Sequence, residues 1–200
     1  MNILPSVFIF TGRSGCGKGT QAELLMKRLK EVDPNRVIVY LETGKLFREF
    51  IKGDTYSQQL SKKNYDEGGL QPQFLTISMW SQFFINIVKP DAHVIMDGTP
   101  RIYNEAFVLD SAVKFYHWPK PHVFYLNISR EAAVARLMGR GRMDDNVDDI
   151  NARLNWFDTH VAKALTFFHD NPDYFFHELH GELPADETHN EILQLAGFPR

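Results

Sequence analysis

The stretch VFIFTGRSGCGKGT (residues 7–20) decides the fold, because a short apolar run breaks into a glycine-rich loop and then a helical pattern. Residues 7–11 are β-branched and aromatic, as in a strand buried on both faces. In the loop that follows, Gly12, Gly15, Gly17 and Gly19 are spaced by small or short residues. Such a loop lets backbone N–H groups turn inward around phosphate oxygens, and the N-terminus of the next helix adds favourable partial charge. Lys18 is placed to bridge a β- and a γ-phosphate as a point charge. The strict pattern has Ser or Thr directly after the lysine, whereas here Gly19 intervenes and Thr20 follows. Cys16 inside the loop reads either as a reactive thiol or as a small residue that the loop tolerates.

Outward from the loop, further short apolar runs read as buried parallel strands over 37–41, 93–96, 123–127 and 174–179. Helical patterns fill 18–31, 72–88, 103–116, 130–139, 148–169 and 188–196. In the second of these, Phe74, Ile77, Trp80, Phe83, Phe84 and Ile87 recur at helical spacing, which predicts a packed face. Strands alternating with helices imply an α/β fold with a parallel five-stranded, doubly wound sheet and a ligand site at the strands' carboxyl ends. Residues 43–72 depart from that rhythm and read as two or three helices with no intervening strand. Such an insertion is either a separately moving substrate lobe or a static helical excursion.

Composition narrows the function classes. The chain has 200 residues, a formal net charge of −3 and 44% hydrophobic residues. That length fits one domain, and that charge argues against broad capture of nucleic acid. The single cysteine excludes an intrachain disulfide and fits a reducing compartment. No run approaches the ~20 apolar residues that a bilayer span needs. A cytoplasmic protein, monomeric and with no membrane or nucleic-acid partner, is expected.

Two more constellations carry chemistry. Asp97-Gly98-Thr99-Pro100-Arg101 follows the third strand. A carboxylate there, close to the phosphate loop, is where Mg²⁺ or its waters are held, and Arg101 offers a planar fork to a second phosphate. Farther on, Arg136, Arg140, Arg142 and Arg153 cluster around Gly139, Gly141 and the acids Asp144 and Asp145. Several cations in a short closing segment suit the transfer of a phosphoryl group, whose charge spreads as it moves. The eight histidines show no metal-ligand spacing and read mostly as surface residues, while Trp156, Phe157, Phe167 and Phe168 read as core.

These segments resemble the adenylate kinase family over nearly the whole chain, with motifs in the family's order and at similar spacing from Thr43 to Glu105. Gly17-Lys18-Gly19-Thr20-Gln21 is similar to the family's Gly-Lys-Gly-Thr-Gln loop, so the displaced threonine belongs to the resemblance. Thr43-Gly44-Lys45-Leu46-Phe47-Arg48 is similar to its Thr-Gly-Asp-x-x-Arg segment, with Lys45 in place of the aspartate. Gly69-Leu70-Gln71-Pro72 resembles its Gly-x-Val-Pro turn, and Asp97–Arg101 its Asp-Gly-Phe-Pro-Arg motif with Thr99 in place of the aromatic.

The resemblance implies a P-loop fold with a core at 1–41, 72–138 and 147–200, a monophosphate-binding lobe at 42–71 and a short lid at 139–146. It implies transfer of the ATP γ-phosphoryl group to a nucleoside monophosphate, AMP first, with Mg²⁺ as cofactor and no structural zinc. ATP would meet Gly15, Cys16, Gly17, Lys18, Gly19, Thr20, Arg140 and Gly181. The acceptor would meet Thr43, Arg48, Gly69, Leu70, Gln71, Gly98, Thr99, Pro100, Arg101 and Glu105. The acceptor would also meet Arg142 and Arg153, the phosphate-clamping pair, oriented by Asp144 and Asp145. Catalysis would fall to Lys18, Arg101, Arg140, Arg142 and Arg153.

Glu105 stands where the family carries a base-reading glutamine. A carboxylate accepts hydrogen bonds and donates none, so on paper it suits guanine better than adenine. Asn104 is the neighbouring candidate reader. A UMP/CMP- or GMP-type kinase and an inactive nucleotide-binding homologue are the alternatives.

Overall fold

The computed structural model describes residues 6–141 and 146–198. Five parallel strands form one sheet: β1 (Val7–Thr11), β2 (Ile38–Glu42), β3 (His93–Asp97), β4 (His122–Asn127) and β5 (Phe175–His180), in the order β2-β3-β1-β4-β5. Each lies within a residue of the run read from sequence. Strand β1 pairs with β3 on one side (Ile9↔Met96) and β4 on the other (Ile9↔Val123). Every residue of β1 is buried, because helices cover both faces of the sheet.

The helices are α1 (Lys18–Val32), α2 (Thr43–Phe50), α3 (Tyr56–Asp66), α4 (Gln73–Ile87), α5 (Tyr103–Phe115), α6 (Arg130–Arg140), α7 (Val147–Trp156), α8 (Ala162–His169) and α9 (Ala185–Leu195). Alternation along β1 sends Phe8 and Phe10 to one core, with Leu25, Leu29, Phe124, Leu154 and Ile192. Val7 and Ile9 enter the other core, with Trp80, Phe84, Met96, Leu109 and Phe168. Fully burying each such aromatic or aliphatic side chain contributes about 1.5–3 kcal/mol.

Three expectations change. The apolar face read along α4 is narrower, because Phe74 and Ile87 are exposed and only Trp80 and Phe84 of the six are fully buried. The long helix expected over 148–169 is interrupted by a π-helical turn at Phe157–Val161. There the Thr159 hydroxyl donates to the Asn155 carbonyl at 3.0 Å, competing with the backbone ladder. The histidines divide more evenly than expected: His93 is fully buried, and His122, His177 and His189 are partly so.

The excursion at 43–72 contains two helices, α2 and α3. The second starts in a capping box, in which Thr55 accepts from the Gln58 backbone and Gln58 reaches back to Thr55. Sheet order reverses at β1, so the crevice between β1 and β3 opens at their carboxyl ends, beside the glycine-rich loop.

Candidate active site

At that crevice lies a cavity of about 450 Å³. Its floor is the loop after β1, where Ser14, Gly15, Gly17, Lys18, Gly19 and Thr20 line the wall. Gly12 has φ 141°, and a Cβ there would stand 2.6 Å from the Leu126 carbonyl oxygen, so the chain leaves β1 in a path only glycine takes. Gly17 sits at φ 99° immediately before α1 and leaves the helix N-terminus open to the cavity. The Lys18 ammonium donates to the carbonyls of Gly12 at 2.9 Å and Arg13 at 3.0 Å, which holds it at the loop's mouth. Cys16 is buried beneath the loop, in a packing role.

Asp97 ends β3 and faces the same cavity. Burial pushes its carboxyl up from the usual range, and the nearby Lys18 ammonium opposes this. The Tyr40 hydroxyl of β2 donates to Asp97 Oδ2 at 3.4 Å. Burial, followed by the nearby Asp97 charge, drives the phenol well above its ordinary value.

The opposite wall supplies the cations. Arg48 of α2 pairs with Glu42 at 2.5 Å, and both side chains face the cavity. Arg101 donates from Nε to the Gly98 carbonyl at 2.8 Å, with its guanidinium 5.4 Å from the Trp156 ring centre. Burial lowers the Arg101 pKa, with the Glu105 and Asp97 carboxylates opposing, and a guanidinium stays charged regardless. Arg140 ends α6, and Arg153 of α7 donates to the Asp149 carbonyl at 3.2 Å. Both line the cavity, as do Gly69, Gln71 and Gly98.

Other expected site residues lie off the cavity wall. Thr43 and Thr99 are buried with their hydroxyls enclosed, and Leu70 and Pro100 are not part of the lining. Gly181 is buried behind the loop, yet its carbonyl accepts from Arg136 at 2.8 Å, and Arg136 does line the cavity. Glu105 is buried at 1% exposure, and its Oε2 accepts the Arg101 backbone N–H at 2.8 Å. Asn104 and Lys45 are exposed outside the cavity. Arg142, Asp144 and Asp145, with half of the expected lid, lie outside the described residues.

Sequence reasoning missed Tyr40, Glu42, Tyr65 and Trp156, all on the cavity wall. Tyr40 and Glu42 had a usable signal, since the end of a strand beside β3 must face the crevice. Trp156 had none, because its position depends on how α7 meets a distant turn.

The family model described as adenylate kinase matches residues 10–172. The chain belongs to the adenylate kinase family. It is 31% identical over 167 residues to an adenylate kinase of Porphyromonas gingivalis, covering 82% of this chain and 81% of that one. It is 32% identical over 162 residues to one from Prochlorococcus marinus, covering 81% and 84% of the two chains. With an adenylate kinase of Leptospira biflexa it shares 30% identity over 192 residues, 93% and 97% of the respective chains. As an adenylate kinase family member it is a nucleoside monophosphate kinase, an ATP:AMP phosphotransferase on a P-loop fold.

Proposed function

We propose that the 450 Å³ cavity is where the transfer occurs, by direct in-line passage of the γ-phosphoryl group from ATP to the phosphate of AMP, with no covalent enzyme intermediate. The observation that carries this reading is convergence. Lys18, Asp97, Arg48, Arg140 and Arg153 come from five separate elements, Arg101 from the loop between β3 and α5, and all six line one cavity at the strands' carboxyl ends.

In this reading the loop amides and Lys18 cradle the ATP phosphates, and Arg48 and Arg101 orient the acceptor phosphate. Arg140 and Arg153, with Arg142, neutralise charge on the moving group. No general base is required, because the acceptor phosphate is already ionised near neutral pH. The helical lobe at 42–71 and the short segment at 139–146 would close over the substrates and exclude water.

Mg²⁺ fits the donor set. Gly19 has no side chain, and a Cβ there would stand 3.5 Å from Asp97 Oδ2, so α1 leaves room beside that carboxylate. Asp97 would hold the ion through water, and Mg²⁺, when bound, would supply charge neutralisation for the phosphoryl group in transfer. A cytoplasmic monomer belongs to the same reading, and the single cysteine fits a reducing compartment. Among the described residues no helix is long and apolar enough to cross a membrane.

The test is ADP formation from ATP and Mg²⁺ with AMP, GMP, CMP, UMP and dTMP offered in parallel, for the wild type and Lys18→Ala. Turnover dominated by AMP is expected, with a loss of about 10³-fold or more in the variant. Retained activity in Lys18→Ala would overturn the phosphate site. ATP binding without turnover of any acceptor would point to a nucleotide-binding homologue.

A further inference from the structure

Trp156 is a cavity residue to which the phosphoryl-transfer scheme gives no task. It closes α7, is half-buried, and touches two parts of the molecule that the scheme treats separately. Its ring lies beneath the Arg101 guanidinium at 5.4 Å. Its indole N–H donates to the Gly68 carbonyl at 3.2 Å. Gly68 begins the turn by which the helical lobe returns to the core, and a Cβ there would stand 3.2 Å from both Ala152 Cβ and Asp149 Cα. The turn therefore rests directly on α7.

That turn is firmly joined to the lobe. Asn64 of α3 donates through Nδ2 to the Leu70 carbonyl at 2.9 Å and accepts the Gly69 N–H on its own carbonyl at 2.9 Å. Gln71 and Ser61 exchange two buried hydrogen bonds, at 2.8 and 3.0 Å. Whatever fixes Gly68 against α7 thus fixes the base of α3.

Arg101 needs an orienting partner. Its Nε is committed to Gly98, and among the described residues its Nη groups have no protein acceptor. A guanidinium away from bulk water gains from an aromatic face, which holds the plane without consuming its N–H donors. Those donors remain available to a phosphate.

We propose that Trp156 is a positioning residue for the acceptor phosphate: its ring aims the Arg101 fork, and its indole N–H holds the return turn of the lobe at Gly68. The proposal rests on the reading that Arg101 binds that phosphate. Arg153, three residues earlier on α7, also lines the cavity, so one helix carries a phosphate cation and the aim of another.

The experiment compares Trp156→Leu, Trp156→Phe and Arg101→Ala, reading KM for AMP and for ATP, kcat, and tryptophan emission during AMP titration. Circular dichroism confirms folding. Trp156→Leu is expected to raise the AMP KM about ten-fold and leave the ATP KM within about two-fold. Trp156→Phe keeps a ring and loses the N–H, and should raise the AMP KM about three-fold. AMP is expected to change tryptophan emission in the wild type, and that change should vanish in Trp156→Phe, since Trp80 and Trp118 pack with the core.

Should Trp156→Leu fail to fold, the phenylalanine variant and its emission carry the test. An AMP KM unchanged in both Trp156 variants, or AMP and ATP KM rising together, would overturn the proposal while a raised AMP KM in Arg101→Ala keeps the site. An unchanged AMP KM in Arg101→Ala would instead overturn the reading of Arg101.

Discussion

The Glu105 carboxylate accepts the backbone N–H of Arg101 at 2.8 Å, so the side chain standing at the base-reading position caps the helix that follows the phosphate arginine. Glu105 is the third residue of α5, and a carboxylate there reaches back to N–H groups that the first turn leaves without partners. Burial pushes its carboxyl up, while the backbone N–H and charge of Arg101, and the Ile102 N–H, hold it down. We expect Glu105→Gln to leave the preference for AMP over GMP unchanged, because the group faces the helix end and not the cavity. Glu105→Ala should cost about 2 kcal/mol, or roughly 4–8 °C in Tm, by stranding those N–H groups. Parallel acceptor assays and thermal unfolding check both, and a shift in base preference on Glu105→Gln would return the residue to the acceptor site.

The contrast between Glu105 and Lys18 marks what a sequence makes legible. Lys18 is placed by its own loop, whose glycines and following helix are local, so its position on the cavity wall was readable from residues 7–20 alone. The strands were readable for a related reason: a strand covered on both faces carries an apolar run, as at residues 7–10 of β1 and 94–96 of β3. Glu105 has two options, outward to a ligand or back to its helix end, and composition does not choose between them. Trp156 and Gly68 are 88 residues apart, so their contact exists only once α7 and the lobe have packed. The π-helical turn has the same origin in part. Asp158 within it pairs with Arg13 of the phosphate loop at 2.7 Å, across 145 residues.

Asp97 illustrates a stability cost placed at a functional group. Its folded-state pKa is raised, chiefly by burial, so the protonated form is favoured on folding. The sign follows: its contribution is most favourable below the unfolded pKa near 4 and is lost as pH rises through the folded value. At pH 7 the buried group therefore destabilises the ligand-free protein. Asp97→Asn should raise Tm at pH 7 by a few degrees, at roughly 2–4 °C per kcal/mol, with the gain fading toward pH 4. The same variant should lose most of its turnover with Mg²⁺ and ATP. Unfolding scans from pH 4 to 8 test this, and a gain that persists at pH 4 would show that relieved charge burial is not the cause.

A second pH dependence lies far from the cavity, on β4 and β5. His122 and His177 stack with ring centres 5.4 Å apart, and His122 Nδ1 meets His177 Nε2 at 3.1 Å. The rings of Phe8, Phe124 and Phe175 surround His122, and Lys120 is the nearby cation. Burial, then the charges of His177 and Lys120, hold the His122 pKa down to about 4. Because the folded value lies below the unfolded one near 6.5, the neutral ring is favoured on folding. Its contribution is present above pH 6.5 and is lost as pH falls toward 4, an effect on the order of 2–3 kcal/mol. Replacing the imidazole by a ring of similar shape removes the titrating group, so His122→Phe should hold its stability over that interval where the wild type declines. Carboxylates titrate in both proteins, so the difference between the two unfolding curves isolates the histidine. Parallel curves from pH 7 to 4.5 would show that His122 carries none of the acid sensitivity.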